Sequence, residues 1–222
     1  MLLAIDTSTS WSGLALYHPG EVIAECTWKS QAHHTAQLAP NLEHLLRQTG
    51  TSMEAIQGVA VALGPGSFTA LRVGLALAKG ICLARGLPIV GIPTLDILAA
   101  SQAPRAGFET LLAVLQAGRG RLAVNRYTLE GEEWKAIGTP AVLTFEALLE
   151  SLEAPTHVCG EFTAEQRTQL EKHPRAYLPP VPACVRRPAV LAELGWRRLQ
   201  KGEASSLAAL APIYLHVHET IS

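Results

Sequence analysis

The stretch Leu63-Gly64-Pro65-Gly66-Ser67-Phe68-Thr69-Ala70-Leu71-Arg72-Val73-Gly74 constrains this chain more than any other. It joins a short apolar run, Val59 to Leu63, to a long helical pattern rich in small residues. A glycine-rich loop between a strand and a helix start gathers free backbone N–H groups at the positive helix end, and such loops often hold anions. Nucleotide binding is therefore the first reading. Three details weigh against it. No Gly-Lys-Ser/Thr follows, so this is not a Walker A loop. The third glycine of a GxGxxG fingerprint is missing. Pro65 removes one N–H from the cradle.

With 222 residues, 48% of them hydrophobic and 17% charged, the chain can bury a sizeable core as one large or two small domains. A net charge of −1 supplies no basic excess for tight nucleic-acid binding by this chain alone. The N-terminus has no basic region and meets an acid at Asp6, unlike a signal peptide. No apolar run reaches membrane-spanning length. The four cysteines are scattered without a CxxC pair, as expected of reduced thiols in a cytoplasmic protein.

Leu2–Ile5 and Leu14–Tyr17 read as two strands of a hairpin around the hydroxyl-rich turn from Asp6 to Gly13. Val22–Trp28 is a third strand candidate. Leu38, Leu42, Leu45 and Leu46 share a helical face, with Pro40 expected to start or bend that helix. Thr51-Ser52-Met53-Glu54 has capping-box spacing for a short helix. The helix after the glycine loop should run from about Thr69 to Ala84. Ala70, Gly74, Ala78 and Cys82 form a small-residue ridge along it, flanked by Leu71. Residues 101–109 break the pattern and mark a domain boundary. Strands follow at Leu111–Leu115 and Leu122–Thr128 around Gly118-Arg119-Gly120. Helices are capped by Thr144 and Thr163, and a last helix runs from Pro188 to Lys201. No sequence repeat is evident.

No histidine pair has the i, i+4 spacing of two metal ligands on one helix face, and HExxH is absent, so no intrinsic metal is expected. Ser67 lies outside any GxSxG elbow and reads as an N-cap or turn residue. Asp6, Thr7 and Ser8 fit either a polar hairpin that holds its own turn or a loop like the first phosphate loop of actin-like ATPases. The small ridge fits either close packing on the chain's own sheet or a helix–helix subunit interface; both need the same residues. The arginines Arg119, Arg121 and Arg126, and the pairs Arg186/Arg187 and Arg197/Arg198, read by default as solvated surface.

Two blocks together, Ala4-Ile5-Asp6-Thr7-Ser8 and Gly64 through Gly74, resemble the bacterial TsaB (YeaZ) family. Ile92-Pro93-Thr94-Leu95 and Pro212-Ile213-Tyr214-Leu215 add to the likeness. The resemblance implies an α/β actin-like ATPase (ASKHA, RNase H-like) fold of two lobes, each a mixed sheet flanked by helices. The expected lobes are residues 1–100, completed by 203–222, and residues 101–202. It also implies a role in forming N6-threonylcarbamoyladenosine at position 37 of ANN-decoding tRNAs. In that family the catalyst is TsaD, which carries the metal and transfers the threonylcarbamoyl group; TsaE, an ATPase, joins the complex. TsaB-like chains are scaffolds that pair with TsaD or, alone, with themselves, and meet tRNA only indirectly. TsaD-like proteins carry an HxxxH pair, whereas here Gln37 stands four residues after His33. Departures from the family occur at Ala70, Gln116, Gly118 and His216.

The expectation is thus an accessory subunit with no catalytic residue, no metal and no intrinsic cofactor, ATP or ADP entering only at a shared interface. Its partner interface would use Leu38, Leu42, Leu45, Ala70, Leu71, Gly74 and Ala78. Asp6, Thr7, Ser8, Gly64, Gly66, Ser67 and Thr69 would form a degenerate phosphate loop. The competing readings are an actin-like ATPase or kinase that binds Mg-ATP itself and, further off, a metallopeptidase.

Overall fold

The computed structural model describes residues 1–30 and 34–215. The chain divides into two compact units, one of Met1–Ile97 with Arg186–Ile213, the other containing Leu98–Val185.

The first unit is built on a sheet of β1 (Leu2–Asp6), β2 (Trp11–His18), β3 (Glu21–Lys29), β4 (Gly58–Ala62) and β5 (Ile89–Ile92), in the order β3-β2-β1-β4-β5. The hairpins β1–β2 and β2–β3 are antiparallel, while β1–β4 and β4–β5 are parallel. Every residue of β1, β4 and β5 is buried, which explains their continuous apolar runs: a strand covered on both faces, whether central like β1 and β4 or at the edge like β5, has no solvent side to alternate with. On one face lie α1 (His34–Thr49) and α2 (Phe68–Arg85), whose buried Leu38, Leu42, Leu45, Leu75 and Ala78 meet Leu3, Ile5, Val59 and Val61. On the other lies α6 (Pro188–Gln200), packing Ala189, Leu191 and Ala192 on Leu2, Ala4, Ala60 and Val90. Glu25 of β3 accepts a hydrogen bond from the Ala189 backbone N–H at 3.0 Å, satisfying one of the free donors at the start of α6. After α6 the chain returns along the sheet, with Ser205 bridging Ile89 and the Ile213 N–H donating to the Leu63 carbonyl at 2.7 Å.

The helix at 188–200 therefore belongs to the first unit, not to a second lobe of 101–202. Its apolar side is complementary to the open face of the first sheet, and that burial decides where it goes. Of the expected completing segment 203–222, residues up to Ile213 belong to the first unit, Tyr214 and Leu215 group with the second, and 216–222 lie outside the described residues.

The second unit carries β6 (Thr110–Gln116), β7 (Leu122–Glu130), β8 (Glu133–Leu143), β9 (Thr156–Gly160) and β10 (Ala176–Tyr177), in the order β10-β9-β6-β7-β8. Again two antiparallel pairings precede two parallel ones. Read in chain order, both sheets follow one plan, a structural repetition with no counterpart in the sequence. The helix α3 (Thr94–Ala100) begins in the first unit and ends in the second, whose own helices are α4 (Phe145–Glu150) and α5 (Ala164–Glu171). Thr144 caps α4, and Thr163 with Gln166 forms a complete capping box on α5.

Of the two places expected for Pro40, it lies inside α1 and not at its start; Ala36, whose carbonyl loses its donor, is exposed to solvent. One local expectation is corrected. Met53–Ala55 is a single 3-10 turn, and the Ser52 side chain makes no cap bond.

Candidate functional site

The polar turn after β1 is buried almost completely: Asp6 is 3% exposed, Thr7 2%, Ser8 0% and Thr9 5%. A buried carboxylate needs its charge compensated, and every lone pair in use here has a local donor. Asp6 Oδ1 accepts from the Ser8 N–H at 2.8 Å and the Ser8 hydroxyl at 2.5 Å. Asp6 Oδ2 accepts from Arg186 Nε at 2.8 Å, and Arg186 Nη2 donates to Thr9 Oγ1 at 2.9 Å. The two charged side chains are 2% and 5% exposed, so this is a fully desolvated ion pair.

The glycine loop closes over the same turn. The Ser67 N–H, which would face an anion in an open cradle, donates to the Ser8 carbonyl at 2.7 Å. A Cβ on Gly66 would fall on that carbonyl, so only glycine fits. The Gly64 N–H donates to Thr94 Oγ1 at 2.9 Å, and Thr94 Oγ1 donates to Ser8 Oγ at 2.8 Å. Gly64 has φ +103°, and its peptide bond to Pro65 is cis. Ser67 precedes α2 in extended conformation, but its side chain makes no cap bond. Of the residues expected to form a phosphate loop, the structure brings together Asp6, Thr7, Ser8, Gly64, Gly66 and Ser67. Thr69 points elsewhere, into the groove described below.

The small ridge of α2 is spent inside the chain. Leu38, Leu42, Leu45, Ala70, Leu71 and Ala78 are between 0% and 6% exposed. Gly74 is buried too, and its missing Cβ makes room for the Thr7 hydroxyl, which donates to the Ala70 carbonyl at 2.6 Å. Expected at a partner interface, these seven residues are buried within the chain: Leu38, Leu42, Leu45 and Ala78 belong to the core under the first sheet, Gly74 lies against Thr7, and Leu38 also reaches the groove described next. Between the two readings of the ridge, burial selects internal packing.

The outward sides of the same helices carry a different surface. A groove of about 520 Å³ runs between α1 and α2, lined by Leu38, Ala39, Phe68, Val73, Ala76 and Leu77, with Thr35, Thr69 and Arg72 beside them. Phe68 is 52% exposed and Leu83 78% exposed, while the Arg72 guanidinium stands 3.7 Å from the Phe68 ring centre. Ala76 and Gly80 form a second small stripe, four residues apart, facing solvent. Gly80 has open space where its Cβ would be. An exposed mid-helix glycine costs about 1 kcal/mol relative to alanine, and nothing in the chain's own packing requires it.

Gln37 accepts a hydrogen bond from Trp28 Nε1 at 3.2 Å, a structural use of the position where a second helix ligand would stand. His33, His216 and His218 lie outside the described residues. Among the described residues no cluster of three or more His, Cys, Asp or Glu side chains could hold a metal, and no helix is long and apolar enough to cross a membrane. All four cysteines are unpaired.

Sequence reasoning missed Arg186. Its neighbour Arg187 made the pair look like solvated surface, and 180 residues separate it from Asp6. The available signal was Asp6 itself, a carboxylate ending an apolar strand and therefore in need of a buried cation.

Known proteins resemble this architecture and sequence. The family model for TsaD, tRNA N6-adenosine threonylcarbamoyltransferase, matches residues 21–185. The tRNA threonylcarbamoyladenosine biosynthesis protein TsaB of Escherichia coli (strain K12) is 33% identical over 153 residues, 68% of this chain and 66% of that protein. The protein of the same name from Bacillus subtilis (strain 168) is 27% identical over 224 residues, 98% of this chain and 95% of that one. The solved structure of YeaZ from Pseudomonas aeruginosa superposes with a TM-score of 0.79 at 26% identity, covering 96% of this chain and 99% of that one.

Proposed function

The chain belongs to the TsaB family of tRNA threonylcarbamoyladenosine biosynthesis proteins, and from that premise we propose that it is the non-catalytic subunit that binds and activates TsaD. The observation that carries this reading is the Asp6–Arg186 pair. In an actin-like loop that works on a nucleotide, the acid after the first strand must be free to face a hydrated cation. Here an internal guanidinium takes that place, and the Ser8 carbonyl takes up the Ser67 N–H. A site whose donors and acceptors satisfy one another has little left to offer a phosphate.

What such a chain still offers is a surface. The apolar groove between α1 and α2, continued by the Ala76 and Gly80 stripe, suits a partner helix that approaches closely. TsaD would dock there in the cytoplasm, and a second copy of this chain would use the same face when TsaD is absent. TsaE would join the assembled pair, any ATP or ADP would sit at the shared interface, and tRNA would be met through the complex.

Titration calorimetry of the isolated chain with Mg-ATP separates this reading from an actin-like ATPase or kinase. The expected result is no heat of binding at micromolar protein. Micromolar affinity that disappears in Asp6→Ala would assign the loop to nucleotide chemistry instead.

A further inference from the structure

The same two turns of α2 that present the groove on one side are gripped on the other by the β1–β2 turn. Three contacts make the grip. The Ser8 carbonyl accepts from the Ser67 N–H at 2.7 Å, immediately before the first turn. Gly66 lies flat against Ser8, with no space for a Cβ. One turn on, the Thr7 hydroxyl donates to the Ala70 carbonyl at 2.6 Å, in the space opened by Gly74. The turn is itself anchored from two directions, by Arg186 through Asp6 and by Thr94 through Ser8. On the outward side of the same turns, Phe68, Val73 and Ala76 line the groove.

We propose that the turn at residues 6–8 is a positioning clamp for α2, and that the Thr7 hydroxyl sets where the helix stands and hence the shape of the docking face. The docking half of this inference rests on the partner function proposed above. A serine or threonine hydroxyl is needed because the group it meets, the Ala70 carbonyl, can only accept. A glycine is needed one helical turn later because any side chain would displace the hydroxyl. Thr7 and Gly74 thus operate as a pair, though 67 positions apart in number, and neither touches the partner surface. Thr7 is a positioning residue.

The test compares Thr7→Ala with Thr7→Ser in the full chain, two variants that differ only by the hydroxyl. Amide hydrogen exchange across residues 68–77 should speed up about tenfold in Thr7→Ala and stay within about twofold of wild type in Thr7→Ser, with residues 110–116 unchanged in both. Affinity for purified TsaD should fall about fivefold or more in Thr7→Ala and recover in Thr7→Ser. Unchanged exchange in Thr7→Ala overturns the clamp. Faster exchange with unchanged affinity overturns its link to docking. If wild type itself fails to bind TsaD, the docking function falls, while the exchange result still decides the clamp. Gly66→Ala, which pushes the turn away from the helix start, gives a second variant and should mimic Thr7→Ala.

Discussion

Asp6 and Arg186 show how one buried pair changes the meaning of a loop. Breaking such a pair from one side leaves a desolvated charge, so Asp6→Asn should lower stability by about 3–5 kcal/mol in chemical denaturation. A substitution that leaves stability unchanged would mean that the charge is compensated elsewhere. Gly74 makes a similar point. Gly74→Leu should destabilise the isolated chain by about 1–3 kcal/mol, because a side chain there meets Thr7 inside the core and not a partner. In the second unit, His157 is 3% exposed, with both ring nitrogens unpartnered and the rings of Trp134 and Tyr177 at 6.1 and 5.1 Å. Burial, and secondarily the Arg105 charge, push its pKa down to about 4. The folded chain keeps this ring neutral, so unfolding takes up a proton below the ordinary histidine value. Stability should therefore fall as pH drops from about 6.5 towards about 4, by about 2 kcal/mol at pH 5 relative to pH 8. His157→Phe should flatten that slope in denaturant titrations at the two pH values; an unchanged slope would remove His157 as its cause.

Individual elements were legible in proportion to how local their causes are. The hairpin, the capping box at Thr163 and the end of α2, expected near Ala84 and found at Arg85, are written in turn chemistry and caps. The outward face of α2, proposed above for docking, was not legible at residue level. Helix α2 carries two small stripes, Ala70/Gly74/Ala78 and Ala76/Gly80, and periodicity alone does not say which one the sheet covers. The sheet claims the first because Thr7 must reach Ala70, a contact across 63 positions that no local pattern encodes. The second stripe supports a distinctive prediction. Gly80→Ala should raise the stability of the isolated chain by about 0.5–1 kcal/mol, since it removes an exposed helical glycine. On the docking face proposed above, the same change should weaken TsaD binding, because the added methyl would stand between Gly80 and the partner helix. A Gly80→Ala variant that binds TsaD as tightly as wild type would place the partner on another surface.

At the scale of the molecule, the two sheets share one strand plan on unrelated residues, which is why no repeat is visible in the sequence. The plan is fixed by hydrogen-bond topology and by covering each sheet, and many apolar residue sets satisfy both. Helix α6 illustrates the limit of reading order as architecture. It follows the second unit in the chain but covers the first sheet, bringing Arg186 to Asp6. One return of the chain thus both completes the first unit and pairs the buried Asp6 with a cation. On the function proposed above, the chain contributes to tRNA modification only through its partner. The direct measurement is co-purification of this chain with TsaD, followed by a tRNA threonylcarbamoylation assay in which each subunit is omitted in turn. The account predicts a stable complex, full modification with both subunits, and none from this chain with tRNA and threonylcarbamoyl-AMP alone. Modification by this chain without TsaD, or full activity of TsaD without this chain, would contradict it.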